Sequence, residues 1–433
     1  MTASTPGVER FTALPGELTV ERLDNGLTVC LLDNPQAPLV STVIGYRAGS
    51  RDEPADQHGV AHFLEHMMFK GSRSFAAGEI DRLTLGAGGS NNAYTTHDAT
   101  FYDFSLPAAS WRQALAIEAD RMRALVLDPR EVEAERRVIL EELATAVDDP
   151  WHALDRAVDE RLFGEHPYAR MVLGDRAGLE AIGVQELAEF HRRLYVPNNA
   201  VLVVTGALEP RALEMVGEAF ADLERGTQDL ERQPAAQSPL SALEEVEVTA
   251  GGVAKLVVAI GSVAGDDRQF PAICLLSVLL DGGRSSRLQR RLVEEHRLAS
   301  WVDVAVDESE DPGSFEVCVE LLPGVDPRRV RGVLDEELER VASEPPEANE
   351  VIRAQRFVRV NWAFSHQTIA AQAESLAHAA TCFGVEHLDR YLAAVDALRS
   401  DDVASAAERL TTGSRVDVFG LASPGQPREE VGG

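Results

Sequence analysis

The chain has 433 residues, of which 45% are hydrophobic and 26% are charged, as is typical of soluble globular proteins. This length exceeds what one hydrophobic core accommodates and predicts two or three domains. The formal net charge of −30 argues against binding nucleic acid or an anionic membrane through a basic surface, and is compatible with solubility or with basic peptide ligands.

The sequence offers no targeting or membrane signal. Residues 1–10 show no basic region followed by an apolar stretch, and no window approaches 18 uninterrupted apolar residues. The four cysteines are far apart and form no CxxC pair, which is typical of reduced core residues. Together these features predict a cytoplasmic protein.

Residues 20–47 predict a β-hairpin. Its strands lie at 27–32 and 40–46, and Asp24-Asn25-Gly26 is a turn signal before the first strand. A helix follows, and it carries the most specific pattern of the chain.

That pattern is His62-Phe63-Leu64-Glu65-His66. Two imidazoles four residues apart project from one helical face, with Glu65 beside them. The order H-x-x-E-H reverses the common zinc-protease order and indicates hydrolysis by a zinc-bound water. Catalytic zinc typically keeps three protein ligands and a water, so a third ligand must come from elsewhere.

The helix predicted at 129–147 supplies that ligand. It begins at Asp128-Pro129, in cap and first-turn positions, after a strand-like region at 91–106 and a predicted helix at 111–127. Glu135 and Glu142 are seven residues apart and fall on its apolar stripe, where a carboxylate is costly unless it is paired or binds a metal. We predict Glu142 as the third zinc ligand and Glu135 as an outer residue that orients a histidine or the water.

Other interpretations of these residues exist. Histidines at i and i+4 occur by chance. The two glutamates could be ordinary surface charges of a helix, and Arg136 and Arg137 could pair with nearby acids. His58 lies four residues before His62 but precedes Gly59, so we expect a surface or outer group. Cys30 is too isolated to be a convincing ligand.

The rest of the chain predicts a duplicated domain. A helix at 184–194, a strand at 200–206 and a helix at 210–223 precede residues 226–242, which are rich in Pro, Gln and Ser and predict a linker. We predict one domain on each side of this linker: residues 1–225, which bear the metal, and residues 243–433. One sequence pattern occurs both before and after this linker. It consists of an apolar residue, a leucine seven residues later and a glycine within the next twelve residues, and its two copies end at Gly206 and Gly420. Each half mixes strands and helices, so we predict an α+β fold in which a mixed or mainly antiparallel sheet packs with helices.

Residues 58–72 resemble the signature of the inverted-zincin peptidases, the pitrilysin and mitochondrial-processing-peptidase family. The chain is similar to a short, bacterial-type two-domain member over nearly its whole length. Residues 135–142 resemble the family's third-ligand helix, with Glu142 76 residues after His66. Residues 92–95, Asn-Ala-Tyr-Thr, and 195–199 also fit.

The resemblance implies two homologous domains per chain and two chains that pair as a clam-shell around a chamber. It implies that His62, His66 and Glu142 bind Zn²⁺ and that Glu65 is the general base. By analogy, the strand carrying Asn92 and Ala93 receives the peptide substrate as an added β-strand.

One departure from the family pattern concerns substrate binding. Catalytically complete members have an Arg and a Tyr seven residues apart in the C-terminal domain, where this chain has Val293 and Ser300. Neither offers the same charge-assisted or phenolic hydrogen bond. Arg290, Arg291 and Arg297 lie nearby, but in the wrong helical phase. We expect a heterodimer in which a homologous partner supplies the pair, with a homodimer as the alternative.

These features predict a zinc endopeptidase acting on peptides or small unfolded proteins. Two other functions stay open: a non-catalytic scaffold subunit of a peptidase-like assembly, and a metal-binding protein without turnover. The complete set His62, Glu65, His66 and Glu142 argues against a scaffold, which needs none of these residues.

Overall fold

The computed structural model of the chain describes residues 11–227, 232, 243–249 and 251–422. This part of the chain divides into two compact units. The described residues of Met1–Leu143, Arg170–Gln233 and Trp362–Leu392 form unit 1. Those of Ala144–Ala169, Pro234–Asn361 and Ala393–Gly433 form unit 2.

Unit 1 contains a six-stranded mixed sheet. Its strands are β1 (Glu17–Arg22), β2 (Thr28–Asp33), β3 (Leu39–Tyr46), β4 (Ser90–Thr95), β5 (Thr100–Pro107) and β6 (Ala200–Gly206). They lie in the order β1-β2-β6-β3-β5-β4, in which β2 and β6 are parallel and the other neighbours antiparallel. Every residue of β6 is buried, as its run of apolar residues and its position inside the sheet require.

Unit 2 contains a five-stranded mixed sheet. Its strands are β7 (Leu243–Thr249), β8 (Lys255–Gly261), β9 (Ala299–Val306), β10 (Ser314–Leu321) and β11 (Arg415–Leu421). They lie in the order β7-β11-β8-β10-β9, with β7 and β11 parallel and the other neighbours antiparallel. Apart from β1, this is the topology of the first sheet, with β7 to β11 in the places of β2 to β6.

The described helices are α1 (Val60–Met67), α2 (Glu79–Gly86), α3 (Arg112–Ala124), α4 (Pro129–Val147), α5 (His152–Leu162), α6 (Arg176–Ala181), α7 (Val184–Leu194), α8 (Ala212–Phe220), α9 (Phe270–Asp281), α10 (Pro327–Ser343), α11 (Ala348–Ser365), α12 (Ile369–Cys382), α13 (His387–Ala397) and α14 (Ser400–Thr412). The structure also contains short 3₁₀ turns and a π-helical segment at Gln289–Glu295. None of the described helices combines the length and apolar character needed to cross a membrane.

The predicted α+β fold with two related halves is confirmed. The sequence pattern that ends at Gly206 and Gly420 falls on α7 with β6 and on α14 with β11, which occupy equivalent places in the two sheets. The predicted bounds of α4, α7 and β6 agree with the structure.

The predicted hairpin at residues 20–47 is wrong in its pairing. Both of its strands exist, as β2 and β3, but β6 lies between them and pairs with each. The hairpin partner of β2 is instead β1, and Asp24-Asn25-Gly26 lies in the turn between them. The strand β6 follows β3 by more than 150 residues in the chain, so its insertion leaves no local signal. The strands β2 and β3 would be apolar on both faces in either arrangement.

The two faces of the first sheet are both covered. Along β2, Val29 and Leu31 contribute to the core that includes α1, α3 and α7, whereas Cys30 and Leu32 contribute to a second core with α12. The helix α12 approaches β3 so closely that a Cβ at Gly45 would lie 2.3 Å from the Thr381 hydroxyl. Alternating residues thus bury both faces of one strand.

The halves of the chain exchange equivalent helices. From the C-terminal half, α12 packs on β3 and β6 of unit 1. From the N-terminal half, α5 packs on β7, β8 and β11 of unit 2, where Leu154 and Val158 join one buried cluster with Val257 and Val416. The domains predicted at 1–225 and 243–433 therefore match the order of the sheets along the chain, whereas the compact units are made of interleaved segments. The predicted linker at 226–242 lies mostly outside the described residues.

A buried ion pair lies inside unit 1. Glu118 and Arg121, three residues apart on α3, are both fully buried, and the Arg121 Nε donates to the Glu118 carboxylate at 2.7 Å. The guanidinium carbon lies 4.2 Å from the ring centroid of Tyr102 and 5.4 Å from that of Phe69. In the sequence this pair is indistinguishable from an exposed helical pair, and only the tertiary structure removes it from water.

We expect Arg121→Met to destabilise unit 1 by about 3–5 kcal/mol, because the Glu118 carboxylate would stay buried without its partner. The double variant Glu118→Leu/Arg121→Met should recover most of that loss, since both charges are then gone. Urea unfolding followed by circular dichroism measures both. A loss below about 1 kcal/mol in the single variant, the value for an exposed pair, would contradict the burial of this pair.

Candidate metal centre

The helix that carries the histidines is short and begins at a glycine. Gly59 has φ of 95°, in the left-handed region, and a Cβ there would lie 2.9 Å from the Leu173 carbonyl oxygen. From Val60 to Met67, His66 is the one residue that is not buried. The helix α1 is therefore a core helix whose polar residues face a single site.

Glu53 holds the first turn of α1. Its two carboxylate oxygens accept hydrogen bonds from the backbone N–H groups of Gly59 at 2.9 Å and Ala61 at 3.0 Å. Burial raises the pKa of Glu53 to about 8, although these two donors oppose the rise. The sequence does not predict this contact, because a carboxylate six residues before the glycine does not have the spacing of a capping box.

The three predicted ligands converge in unit 1. The Nε2 atoms of His62 and His66 are 3.3 Å apart, and the Glu142 Oε2 lies 3.9 Å from the first and 3.6 Å from the second. Within the part of the chain that the structure describes, these three residues are the single group of three or more His, Cys, Asp or Glu whose ligand atoms come this close. The helix α4 thus brings Glu142 to the imidazoles across a long separation in sequence.

The geometry of these atoms fits a zinc ion. A tetrahedral zinc with bonds of about 2.0–2.1 Å holds its ligand atoms roughly 3.3–3.4 Å apart. The distance between the two imidazole nitrogens, 3.3 Å, matches this value, and the Glu142 Oε2 lies somewhat farther out, at 3.6 and 3.9 Å. Two unprotonated imidazole nitrogens that face each other at 3.3 Å repel unless a proton or a cation lies between them. Two imidazoles and a carboxylate are a donor set that zinc accepts in hydrolytic enzymes.

The histidines differ in their protonation. Burial, followed by the charge of His66, lowers the pKa of His62 to about 4, so this imidazole is neutral and able to bind metal at neutral pH. Burial also lowers the pKa of His66, but its hydrogen bond to Glu135 and the charges of Glu65, Glu135 and Glu142 outweigh burial and raise it. In the absence of a metal, a proton on His66 would supply positive charge beside these carboxylates.

The two glutamates of α4 lie in different environments. Glu135 is buried and its Oε1 lies 2.8 Å from the His66 Nδ1, on the side of the ring away from the ligand atoms, as predicted for an orienting residue. The Glu142 side chain is 45% exposed, so the prediction that both carboxylates are buried is wrong for Glu142. This exposure leaves one side of the candidate site open to water.

Glu65 lies beside the ligands without belonging to their group. The Thr95 hydroxyl of β4 donates to its Oε2 at 2.6 Å. Burial raises the pKa of Glu65, while the hydrogen bond from Thr95 and the charge of His66 oppose the rise. A raised pKa suits a general base that works near neutral pH. The contact with Thr95 was not predicted, and it fixes the carboxylate from the edge strand of the sheet.

The other residues considered in the sequence lie outside the ligand group. Asn92 and Ala93 are on β4, whose second edge has no partner strand among the described residues, and Asn92 is exposed. The His58 Nδ1 lies 3.2 Å from the Asp175 carboxylate and outside the ligand group. Burial raises the pKa of the Cys30 thiol to about 12, and Cys30 faces the core with α12.

In unit 2, α9 occupies the place of α1 and contains no histidine. Val293 lies in the π-helical segment, and Ser300 is an exposed residue of β9 that donates to the Glu320 side chain at 3.0 Å. Of the nearby cations, Arg291 is buried and pairs with Glu336 and Glu337.

The chain is similar to known proteases in sequence and in fold. Residues 28–176 match the family model described as "Insulinase (Peptidase family M16)", and residues 181–358 match the one described as "Peptidase M16 inactive domain". An uncharacterized zinc protease of Streptomyces coelicolor is 27% identical over 93% of this chain and 87% of its own length. One of Mycobacterium leprae is 33% identical over 74% of this chain and 71% of its own length. A protease from Helicobacter pylori has a TM-score of 0.88 at 23% identity, covering 94% of this chain and all of the other, which shows a shared fold.

Proposed function

The chain belongs to peptidase family M16, and on that basis we propose that it is a zinc-dependent endopeptidase that hydrolyses peptides or small unfolded proteins. The observation that carries the proposal is the convergence of the His62 and His66 Nε2 atoms with the Glu142 Oε2, with the Glu65 carboxylate beside them. The names of the relatives as zinc proteases support the metal.

In this proposal His62, His66 and Glu142 hold the zinc. A zinc ion bound there would polarise the scissile carbonyl and lower the pKa of water to roughly 7. Glu65 accepts a proton from the attacking water and passes it to the leaving amine. Thr95 holds the Glu65 carboxylate in place through its Oε2, which leaves Oε1 for the proton.

We propose that the substrate adds to the open edge of β4. A peptide in extended conformation would pair with the backbone of this strand, next to Asn92 and Ala93. Thr95 lies on the same strand and contacts Glu65, so a peptide bound along β4 would pass the general base.

We further propose that the active form is a heterodimer with a homologous chain, and that two chains enclose a chamber as a clam-shell. Val293 and Ser300 support this proposal, because they stand where the resemblance expects an Arg and a Tyr that bind substrate. Arg291 pairs with the buried Glu337 and the exposed Glu336 and is not available as a substitute. A homodimer is the alternative assembly, and a cytoplasmic location, suggested by the cysteine spacing, is part of the same proposal.

The match of residues 181–358 to a model described as an inactive domain favours a second function, a non-catalytic subunit of such an assembly. The proposed ligands all lie outside that segment, within or before α4. Metal binding and turnover therefore have to be measured separately.

We expect zinc-dependent cleavage of a quenched peptide library, with the lone chain slow and the chain mixed with a homologue encoded nearby fast. Native mass measurement of the assembly gives its composition. Full activity of the lone chain at equal zinc content would reject the heterodimer and leave the peptidase. Absence of cleavage in both samples at full zinc content would favour the non-catalytic subunit.

A further inference from the structure

A lysine lies behind the metal centre. The chain has 41 basic residues, and only two of them, Lys70 and Lys255, are lysines. Lys70 lies four residues after His66, just beyond the end of α1, and its backbone N–H donates to the Met67 carbonyl. Its Nζ lies 2.6 Å from the Oε2 of Glu135.

Lys70, Glu135 and His66 form a continuous chain of contacts. The Oε1 of Glu135 contacts the His66 Nδ1 at 2.8 Å, and its Oε2 contacts Lys70, so each oxygen has one partner. Two contacts on opposite oxygens fix the rotation of the carboxylate, which a single contact would leave free. The His66 Nδ1–H then donates to Glu135 and the Nε2 lone pair is directed toward His62 and Glu142.

This support acts on one of the two histidines. The His62 Nδ1 is buried and has no hydrogen-bond partner among the described residues. Of the two imidazoles, only that of His66 is therefore oriented by a described residue outside the ligand group. That residue is Glu135, which Lys70 holds in turn. The contact also joins the turn that follows α1 to α4, and α1 and α4 are the two helices that carry the proposed ligands.

The type of cation fits this position. An ammonium is a compact charge that can approach one carboxylate oxygen, whereas a guanidinium presents a planar fork that favours both oxygens at once. A guanidinium bound to both oxygens of Glu135 would compete with His66 for Oε1. A chain that otherwise uses arginine almost throughout has a lysine where a single-point contact is needed.

We propose that Lys70 is a positioning residue that sets the zinc affinity of the centre through Glu135 and His66. This inference rests on the proposed zinc function of the site. Lys70 does not contact the ligand atoms, and its effect passes through one hydrogen-bonded carboxylate.

The test is the zinc dissociation constant of the full chain, measured by competition with a chromophoric chelator. We expect Lys70→Met to weaken zinc binding by about tenfold, the low end for outer partners of a ligating histidine. Lys255→Met, which removes the other lysine, should bind zinc like the wild type. In a Glu135→Ala background, Lys70→Met should have no further effect, because its route to His66 is already lost.

Each outcome is informative. A dissociation constant for Lys70→Met within twofold of the wild type would overturn the inference while the zinc site stands. A wild-type chain that binds no zinc would instead reject the proposed function itself. An equal tenfold loss with and without Glu135 would also overturn the inference, since Lys70 would then not act through that carboxylate. If Lys70→Met does not fold, Lys70→Ala removes the same contact with Glu135, and the same criteria apply to it.

Discussion

Replacing Glu65 by Gln is expected to stop peptide hydrolysis and to leave zinc bound. The amide has nearly the shape of the carboxylate but cannot accept the proton of the attacking water, and general base catalysis typically contributes roughly 10²–10⁴-fold to the rate. The Glu65 oxygens do not belong to the group formed by His62, His66 and Glu142, so the metal should be retained. We expect kcat to fall by that factor, with little change in KM.

The measurement combines zinc content, by elemental analysis, with cleavage of a quenched peptide by the active assembly. Glu141→Gln is the matched control, because it makes the same change at an exposed glutamate of α4 and should leave the rate intact. Equal turnover by wild type and Glu65→Gln at equal zinc content would show that Glu65 is not the base. Zinc loss in the variant would instead identify Glu65 as a ligand.

The second large effect concerns the carboxylate ligand. We expect Glu142→Ala to lose zinc binding and activity together, because two imidazoles remain where catalytic zinc takes three protein ligands. The loss of affinity should exceed the roughly 10–100-fold typical of outer partners, and so exceed the effect of Lys70→Met. Since the Glu142 side chain is 45% exposed, its removal should not impair folding.

Glu141→Ala provides the control for this experiment. It removes the neighbouring carboxylate of the same helix, about 100° around its axis, and should keep both zinc and activity. The zinc dissociation constants of both variants, with circular dichroism to verify their fold, give the comparison. Normal zinc affinity in Glu142→Ala would exclude it as a ligand and would remove the main support for the peptidase proposal.

Several residues of the site could be found from the sequence because their signals are local. His62 and His66 share a helical face through their spacing of four, and Glu135 and Glu142 share one through their spacing of seven. The contacts of Thr95, Glu53 and Lys70 were not found. Each contacts a residue of α1 or α4 through a loop, strand or turn, and no period of the sequence relates such positions.

The sequence by itself determined the helices α4 and α7, the strand β6, the repetition of a helix–strand unit and the family of the chain. These depend on the periodicity of apolar residues and on short motifs, which act within a few turns of the backbone. The tertiary structure alone decided that β6 separates β2 from β3, that α5 and α12 are exchanged between the halves, and that the Glu142 side chain stays 45% exposed. The physical reason is that residues far apart in the chain meet only where burial of the surfaces between them favours the contact, and the pattern of one segment does not specify which other segment will cover it.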